Sequence, residues 1–421
     1  MLRFHDAVKE RLLRYSRIDS QSGTITGPGP STPCQRDMAA ELCAEMRGLG
    51  VSDVFFDESA CVVYGRIPAS PGTSAEPLAF ITHMDTAPDV SGHGVRPWVL
   101  EAYDGGDILL NESRNIVMRV TEHPVLKNYV GQDLILTDGT TLLGGDDKAA
   151  IAAVMTLAEI LLAHPELPHG PICLAFTPDE EVGGLARELD LERLRARFAY
   201  TLDGDHVGWY QDQTFNAAAA ALEIRGVSVH TGTAKGLMIN ASDLAVEFLN
   251  MLPAREKPQF TDGVEGFYHV CSVSSSCEYA RVELIVRDFD ENAFASRLTF
   301  LSNCTEALNR RYGPDTAALT VREQYRNMGQ TLSRHPFLTE LLRQAITDCG
   351  LEPVCEPFRG GTDGAALTFR GLPCPNLSAG YENAHGRFEF VPIQSMEKNV
   401  EILLSLCRRW AEMGTLPDLS R

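Results

Sequence analysis

The chain has 421 residues, 44% of them apolar and 22% charged, with 35 Gly and 23 Pro. At about 150 residues per domain this is two to three folded domains, and the composition excludes collagen, coiled coil and disorder. Lys and Arg number 37 against 57 Asp and Glu, a net charge of −20, so the long-range field repels phosphate backbones and anionic headgroups; neither nucleic acid nor a membrane is an expected partner.

In chain order, short apolar runs at Leu78 to Thr82, Ile172 to Phe176 and Tyr200 to Leu202 read as strands. Helical patterns at Ala149 to Leu162 and Leu185 to Arg197 separate them. The alternation predicts an α/β fold, a mostly parallel sheet covered by helices. The segment Pro97 to Leu136, with turn residues at Tyr103 to Asp107 and a run at Arg119 to Val130 that fits no period, reads as an excursion from that sheet and not as a domain. Near Asn216 the order changes to strand (Ala219 to Arg225), helix (Ala241 to Leu252), strand (Phe267 to Val273), strand (Tyr279 to Arg287), helix (Glu291 to Arg311) and strand (Ala318 to Tyr325). This β-α-β-β-α-β succession predicts an inserted ferredoxin-like α+β domain with one face of its sheet uncovered. A helix at Pro336 to Cys349, a Gly-rich loop at Arg359 to Gly364, a strand around Pro375 to Leu377 and a helix at Met396 to Trp410 resume the first pattern. The expected domains are therefore 1–213 with 326–421, and 214–325.

The eleven cysteines are scattered, never spaced as C-x-x-C, and read as reduced thiols. No secretory leader is read at Met1 to Asp6 and no long uncharged apolar run occurs, so the expected location is the cytoplasm.

Candidate chemistry gathers at strand ends. His83 and Asp85 follow the first strand, Asp146 and Asp147 follow Leu142-Leu143-Gly144-Gly145, Glu180 and Glu181 follow the second strand, Asp203 follows the third, and His385 lies beyond Leu377. Singly, each has a duller reading as a helix cap or a loop charge. In an open α/β sheet, however, the carboxyl ends of the strands line the ligand crevice, so distant residues converge there. Oxygen and imidazole donors without thiolate suit one or two divalent ions of the zinc, cobalt or manganese type. Asp146 is the candidate bridge, Glu181 a ligand and Glu180 the base that takes a proton from metal-bound water, while Asp85 orients the His83 imidazole.

Three strings make the set specific: His83-Met84-Asp85-Thr86-Ala87-Pro88-Asp89, Thr137 to Ala149 with Gly144-Gly145-Asp146-Asp147-Lys148, and Phe176-Thr177-Pro178-Asp179-Glu180-Glu181. Together with Tyr200 to Gly204, His230 to Gly236, Arg287-Asp288-Phe289-Asp290, Arg359 to Gly364 and His385-Gly386, they resemble the peptidase T family over essentially the whole chain. These are tripeptide aminopeptidases of the dinuclear-zinc aminopeptidase, carboxypeptidase and aminoacylase superfamily. The resemblance implies two Zn2+ per subunit, with Co2+ or Mn2+ as substitutes. It places His83 and Asp203 on one ion, Glu181 and His385 on the other, and Asp146 between them, and it implies a cis peptide bond between Asp146 and Asp147. It further implies that the inserted domain is a lid and dimerisation domain, that the protein is a homodimer, and that His230 stabilises the oxyanion; without the resemblance, His230 reads as a strand-end histidine with a structural hydrogen bond.

Asn216, Arg287 and Arg359 are candidates for the substrate carboxylate, since a guanidinium grips a carboxylate through paired bonds; surface ion pairs are the alternative for the arginines. The expected reaction is release of the N-terminal residue from short peptides, with a deacylase or carboxy/dipeptidase of the same superfamily as the alternative. The chain departs from the family at Gly145, where alanine is usual and a missing methyl is expected to be harmless. It departs also at Gly183 to Ala186 and at Gly380 to Ala384, where Glu382 is expected to add a negative charge near His385.

Overall fold

The computed structural model describes residues 4–414. The chain divides into two compact units, residues 1–212 with 330–356 and 362–421, and residues 213–329 with 357–361. The second unit thus runs past Tyr325 and takes in a short return segment that includes Arg359.

The strands that organise these units are β1 (Ser52–Asp57), β2 (Val62–Ile67), β3 (Leu78–His83), β4 (Ile172–Thr177), β5 (Phe198–Leu202), β6 (Trp209–Gln211), β7 (Asn216–Arg225), β8 (Phe267–Ser275), β9 (Tyr279–Asp288), β10 (Ala317–Tyr325), β11 (Val354–Cys355) and β12 (Asn376–Leu377). The first unit has an eight-stranded sheet in the order β1-β2-β4-β3-β5-β12-β6-β11. The central run β4, β3, β5 and β12 is parallel, and β1 and β2 add antiparallel pairs at one edge. Every residue of β3 and β4 is buried, as expected of strands with helices on both faces, which need apolar side chains on both sides and so lose the period-two signature.

The helix α1 (Gly145–Ala163) is buried along nearly its whole length, but its first turn is irregular, with Asp146 at φ −77°, ψ 104° and Asp147 at φ −115°, ψ 21°. The chain therefore leaves the loop and enters the helix at the candidate bridging residue. Near the C-terminus a helix over Ile393–Met413 packs against α1.

One expectation changes. In place of a helix over 185–197 there is a single turn, Leu191–Leu194, capped by Asp190. Leu185, Ala186 and Arg195 have φ of 48°, 48° and 55°, a region that breaks a right-handed helix wherever it occurs. The stretch 97–136 lies outside the eight-stranded sheet, as expected of an excursion, and builds two small sheets, in which the strands Trp98–Leu100 and Leu134–Leu136 join Val391–Pro392, and Ile108–Asn111 pairs with Ile116–Met118. Tyr103, Ile108, Met118, Leu126 and Phe390 give them a core; strands of three or four residues are too short to print a period.

The second unit is the ferredoxin-like arrangement. Its four strands are antiparallel in the order β8-β9-β7-β10. The helices α2 (Ala241–Met251) and α3 (Glu291–Tyr312) cover one face through Leu244, Phe248, Phe294, Leu301 and Leu308, which meet Leu222, Val282, Leu284 and Val286. Asn240 and Asp290 cap them by accepting from Ser242 and Ala293 backbone N–H groups. Glu223, Arg281 and Glu283 lie on the other face, where Arg281 bonds Glu223 across the register at 2.7 Å.

Among the described residues, no helix is long and apolar enough to cross a membrane, and all eleven cysteines are free thiols.

Candidate metal centre

Five segments of the first unit meet at the carboxyl ends of its parallel strands. His83 ends β3 and is 3% exposed. Its Nδ1 lies 3.1 Å from the Asp85 carbonyl oxygen and 3.4 Å from Asp85 Oδ1, and its Nε2 lies 3.0 Å from Asp146 Oδ1. The fully buried Asp85 also accepts from the backbone N–H groups of Glu180 and Glu181, at 3.0 and 3.2 Å. One carboxylate thus orients an imidazole from β3 and fixes the turn after β4.

Asp146 reaches the centre because its loop is clamped. The buried carboxylate of Glu389 accepts from the N–H groups of Leu143 at 3.0 Å, Gly144 at 2.8 Å and Asp146 at 2.9 Å. The Asp146–Asp147 peptide bond is cis. Beyond β4, Asp179 takes φ 61° and its carboxylate accepts from Ser31 and Gln35, which sets the 3-10 turn Glu180–Val182. Asp203 follows β5, its N–H donating to Leu377 O at 2.8 Å. His385, at φ 60°, closes the set with Nε2 2.8 Å from Glu181 Oε2 and 3.4 Å from Asp146 Oδ2.

Two groups of donor atoms result, His83 with Glu180 and Asp203, and His83 with Asp146 and Glu181; within each, the atoms lie within 4.8 Å of one another. Geometry alone lets either glutamate hold an ion. Their partners differ, since Glu181 bonds His385, whereas no hydrogen bond or ion pair engages the Glu180 carboxyl among the described residues.

The electrostatics match a cation site. Burial first, and then the charge of Asp146, pushes Glu181 up to about 8. Burial and the neighbouring Asp203 raise Glu180 well above the carboxylate range, and burial also raises Asp203. Asp146 runs the other way, because bonds from His385 and His83 outweigh its burial and hold it low. Carboxyls this crowded cannot all ionise without a positive charge among them, which a divalent ion held by these residues would supply. The buried Glu181 Oε1 has no hydrogen-bond partner, as suits an oxygen reserved for a metal, and the all-oxygen and imidazole donor set fits zinc, cobalt or manganese.

Sequence reasoning passed over several residues of this site. Glu389 and Tyr381 act through loop amides and through Asp203, and no spacing rule marks them. Buried Asp363 bonds Thr177 Oγ1 at 2.5 Å and keeps an unpartnered Oδ1; its place in the Gly-rich Thr362-Asp363-Gly364 stretch was the available signal. Glu382 does not add a free charge beside His385, because its Oε1 takes His206 Nδ1 at 2.6 Å and the Tyr129 hydroxyl. At Gly145 the missing methyl leaves no void, in keeping with the expectation, since a Cβ there would lie 2.5 Å from Val391 Cγ2.

The remaining candidates belong to the second unit. His230 is exposed, and its Nδ1 accepts from the Gly232 N–H at 3.2 Å. Arg287 donates to the carbonyl oxygens of Ala218 and Val286 and lies over the Tyr325 ring. Arg359 donates to carbonyls of the 261–265 loop and stacks on Phe215. Neither guanidinium has an acidic partner among the described residues, so both keep their charge uncompensated instead of forming surface ion pairs. Asn216 departs from expectation. Its Nδ2 donates to the carbonyls of Asp288 and Phe289, and its Oδ1 accepts from the Asn327 N–H, which leaves no donor for a substrate carboxylate.

An α/β unit with buried imidazole and carboxylates at its strand ends, in a chain that also carries a ferredoxin-like insert, defines a metallopeptidase class, and residues 143–409 match Peptidase family M20/M25/M40. The chain belongs to this family. It is similar to Peptidase T of Caldanaerobacter subterraneus subsp. tengcongensis, 42% identical over 97% of this chain and 99% of that one. It is also similar to Peptidase T of Clostridium novyi, 43% identical over 97% of this chain and 100% of that one. Among solved structures it shares its fold with aminopeptidase PepT from Bacillus cereus, with TM-score 0.76 at 21% identity over 97% of this chain and 99% of that one.

Proposed function

We propose that this chain is a metal-dependent aminopeptidase that removes the N-terminal residue from short peptides, tripeptides above all. The observation that carries the reading is the pair of donor groups sharing His83, with the unengaged carboxyl of Glu180 beside them. The peptidase T relatives supply the substrate class. Two zinc ions are assigned, one to His83 and Asp203 and the other to Glu181 and His385, with Asp146 between them; cobalt or manganese would fit the same donors. When bound, such ions supply Lewis-acid polarisation of the scissile carbonyl and acidify water to near neutrality.

The chain's own residues do the rest. Glu180 takes a proton from the attacking water on its carboxylate and passes it to the departing amine nitrogen, so the same group serves as base and then as acid. Asp85 holds the His83 tautomer through Nδ1. In the second unit, Arg287 and Arg359 are assigned to the peptide carboxylate, a role supported by guanidiniums that meet carbonyl and hydroxyl oxygens and aromatic rings but no carboxylate among the described residues, and His230 is assigned to the oxyanion. That unit is taken as lid and dimer contact, its uncovered sheet face supporting a homodimer. Eleven free thiols support a reducing, cytoplasmic setting.

The test is hydrolysis of Ala-Ala-Ala, its N-acetyl form and Ala-Ala, with zinc and with chelator. Chelator-sensitive release of the first residue from the free tripeptide is expected. Preference for the acetylated peptide or the dipeptide would reassign the substrate, and no hydrolysis of any of them would overturn the reading.

A further inference from the structure

Asp203 leaves β5 through a turn, residues 203–206, that is gripped by a single stretch of chain. The Asn376 amide donates to Asp203 O at 2.5 Å, and the N–H groups of Ala379 and Gly380 donate to Gly204 O at 2.9 and 3.1 Å. The next residue reaches the side chain itself. Tyr381, 3% exposed, donates its hydroxyl proton to Asp203 Oδ1 at 2.7 Å and accepts the Gly204 N–H at 2.8 Å. Because the N–H occupies the acceptor side of the hydroxyl, its one proton is directed at Oδ1. Among the described residues no other hydrogen bond reaches the Asp203 carboxylate, so one oxygen is engaged and the other is left to ligate.

The ring is fixed in its turn. Glu382 pairs its backbone with Phe390 in both directions, at 2.9 and 3.0 Å. Its carboxylate accepts from the Tyr129 hydroxyl and lies 2.6 Å from His206 Nδ1, at the far end of the same turn. Tyr381 and Glu382 therefore clamp residues 203–206 from both ends, and three residues later the same segment presents His385. The stretch 380–384 is also where this chain departs from the pattern of the family it resembles.

We propose that Tyr381 is a positioning residue of the metal centre, its hydroxyl holding Asp203 in one orientation with a single oxygen free for the ion. The inference rests on the reading of Asp203 as a ligand. Groups that orient a ligand are worth 10–100-fold in metal affinity in comparable sites, on the order of the effect expected here.

The experiment compares wild type, Tyr381→Phe and Asp203→Ala. Each apoprotein is prepared with chelator, zinc is titrated against a chromophoric chelator, bound ions are counted, and the apoprotein melt is followed by circular dichroism. Asp203→Ala is expected to lose an ion. Tyr381→Phe is expected to bind the full number at saturation, with one dissociation constant raised about 10–100-fold and a cooperative apoprotein melt. Unchanged affinity in Tyr381→Phe, with an ion lost in Asp203→Ala, would overturn the positioning role and leave the ligand assignment standing. Full stoichiometry and affinity in Asp203→Ala would overturn the ligand assignment, and the positioning role with it. Should Tyr381→Phe not fold, 3-fluorotyrosine at position 381 alone keeps the shape and strengthens the donor; zinc affinity must then shift, and an unaltered affinity refutes the role.

Discussion

Gly145 precedes the candidate bridging aspartate, and the space a methyl would need there is already filled. A Cβ would lie 2.5 Å from Val391 Cγ2, 3.0 Å from Glu389 Oε1 and 3.4 Å from Tyr381 Cβ. Non-bonded carbons rest at about 3.5–4.0 Å, so the first contact is short by about 1 Å. Val391 cannot easily yield, being fully buried with its backbone paired to Ile135. Gly145→Ala should then cost about 1–3 kcal/mol as overpacking. Val391→Ala alone should cost about 1.6 kcal/mol for two methyl groups, plus a cavity term. In the double variant the new methyl enters the space vacated by Cγ2, so the combined loss should fall short of the sum by about 0.5–3 kcal/mol. Urea denaturation of the four apoproteins measures this cycle, and zinc titration should show the metal loop disturbed in Gly145→Ala and restored in the double variant. Strict additivity, or a Gly145→Ala protein as stable as wild type, would refute the reasoning.

Glu180→Ala should keep its metal and lose turnover by about 10²–10⁴-fold, read from bound zinc and tripeptide hydrolysis on one preparation; metal lost together with activity would mean that Glu180 is the ligand and Glu181 the base. A stability prediction concerns Glu45, which accepts from Tyr15 at 2.5 Å and Arg11 at 2.7 Å and also pairs with Arg14. Burial alone would raise this carboxyl, but those partners outweigh it and hold it below its ordinary value. A carboxyl lowered on folding contributes stability above its unfolded pKa of about 4.3 that is lost as pH falls through the lower folded value. Glu45→Gln should therefore be less stable by about 2 kcal/mol at pH 7, with the gap closing in acid; a gap independent of pH would refute the assignment.

The residue types at the strand ends already named the candidate donors that the structure brings together. His83, Asp85, Asp146, Glu180, Glu181, Asp203 and His385 were legible because a sheet's topology, which alternating apolar runs reveal, brings the carboxyl ends of parallel strands together. The ferredoxin-like insert was legible for a similar reason, since β9 alternates Val282, Leu284 and Val286 with Arg281, Glu283 and Arg287. Periodicity is local, and so is what it can report.

What only the tertiary structure decided was which polar groups spend themselves on the protein and which stay free. Asn216 carries the right amide for a carboxylate, yet its donors close on Asp288 and Phe289. Glu382 looked like a stray charge and is instead absorbed by Tyr129 and His206. Glu389, 243 residues beyond Asp146, holds that residue's backbone, and Gly145 is compelled by Val391. Hydrogen bonds and steric contacts are satisfied between atoms close in space, over sequence separations that no pattern in a single chain records; the sequence names the donors, and the fold determines where they are used.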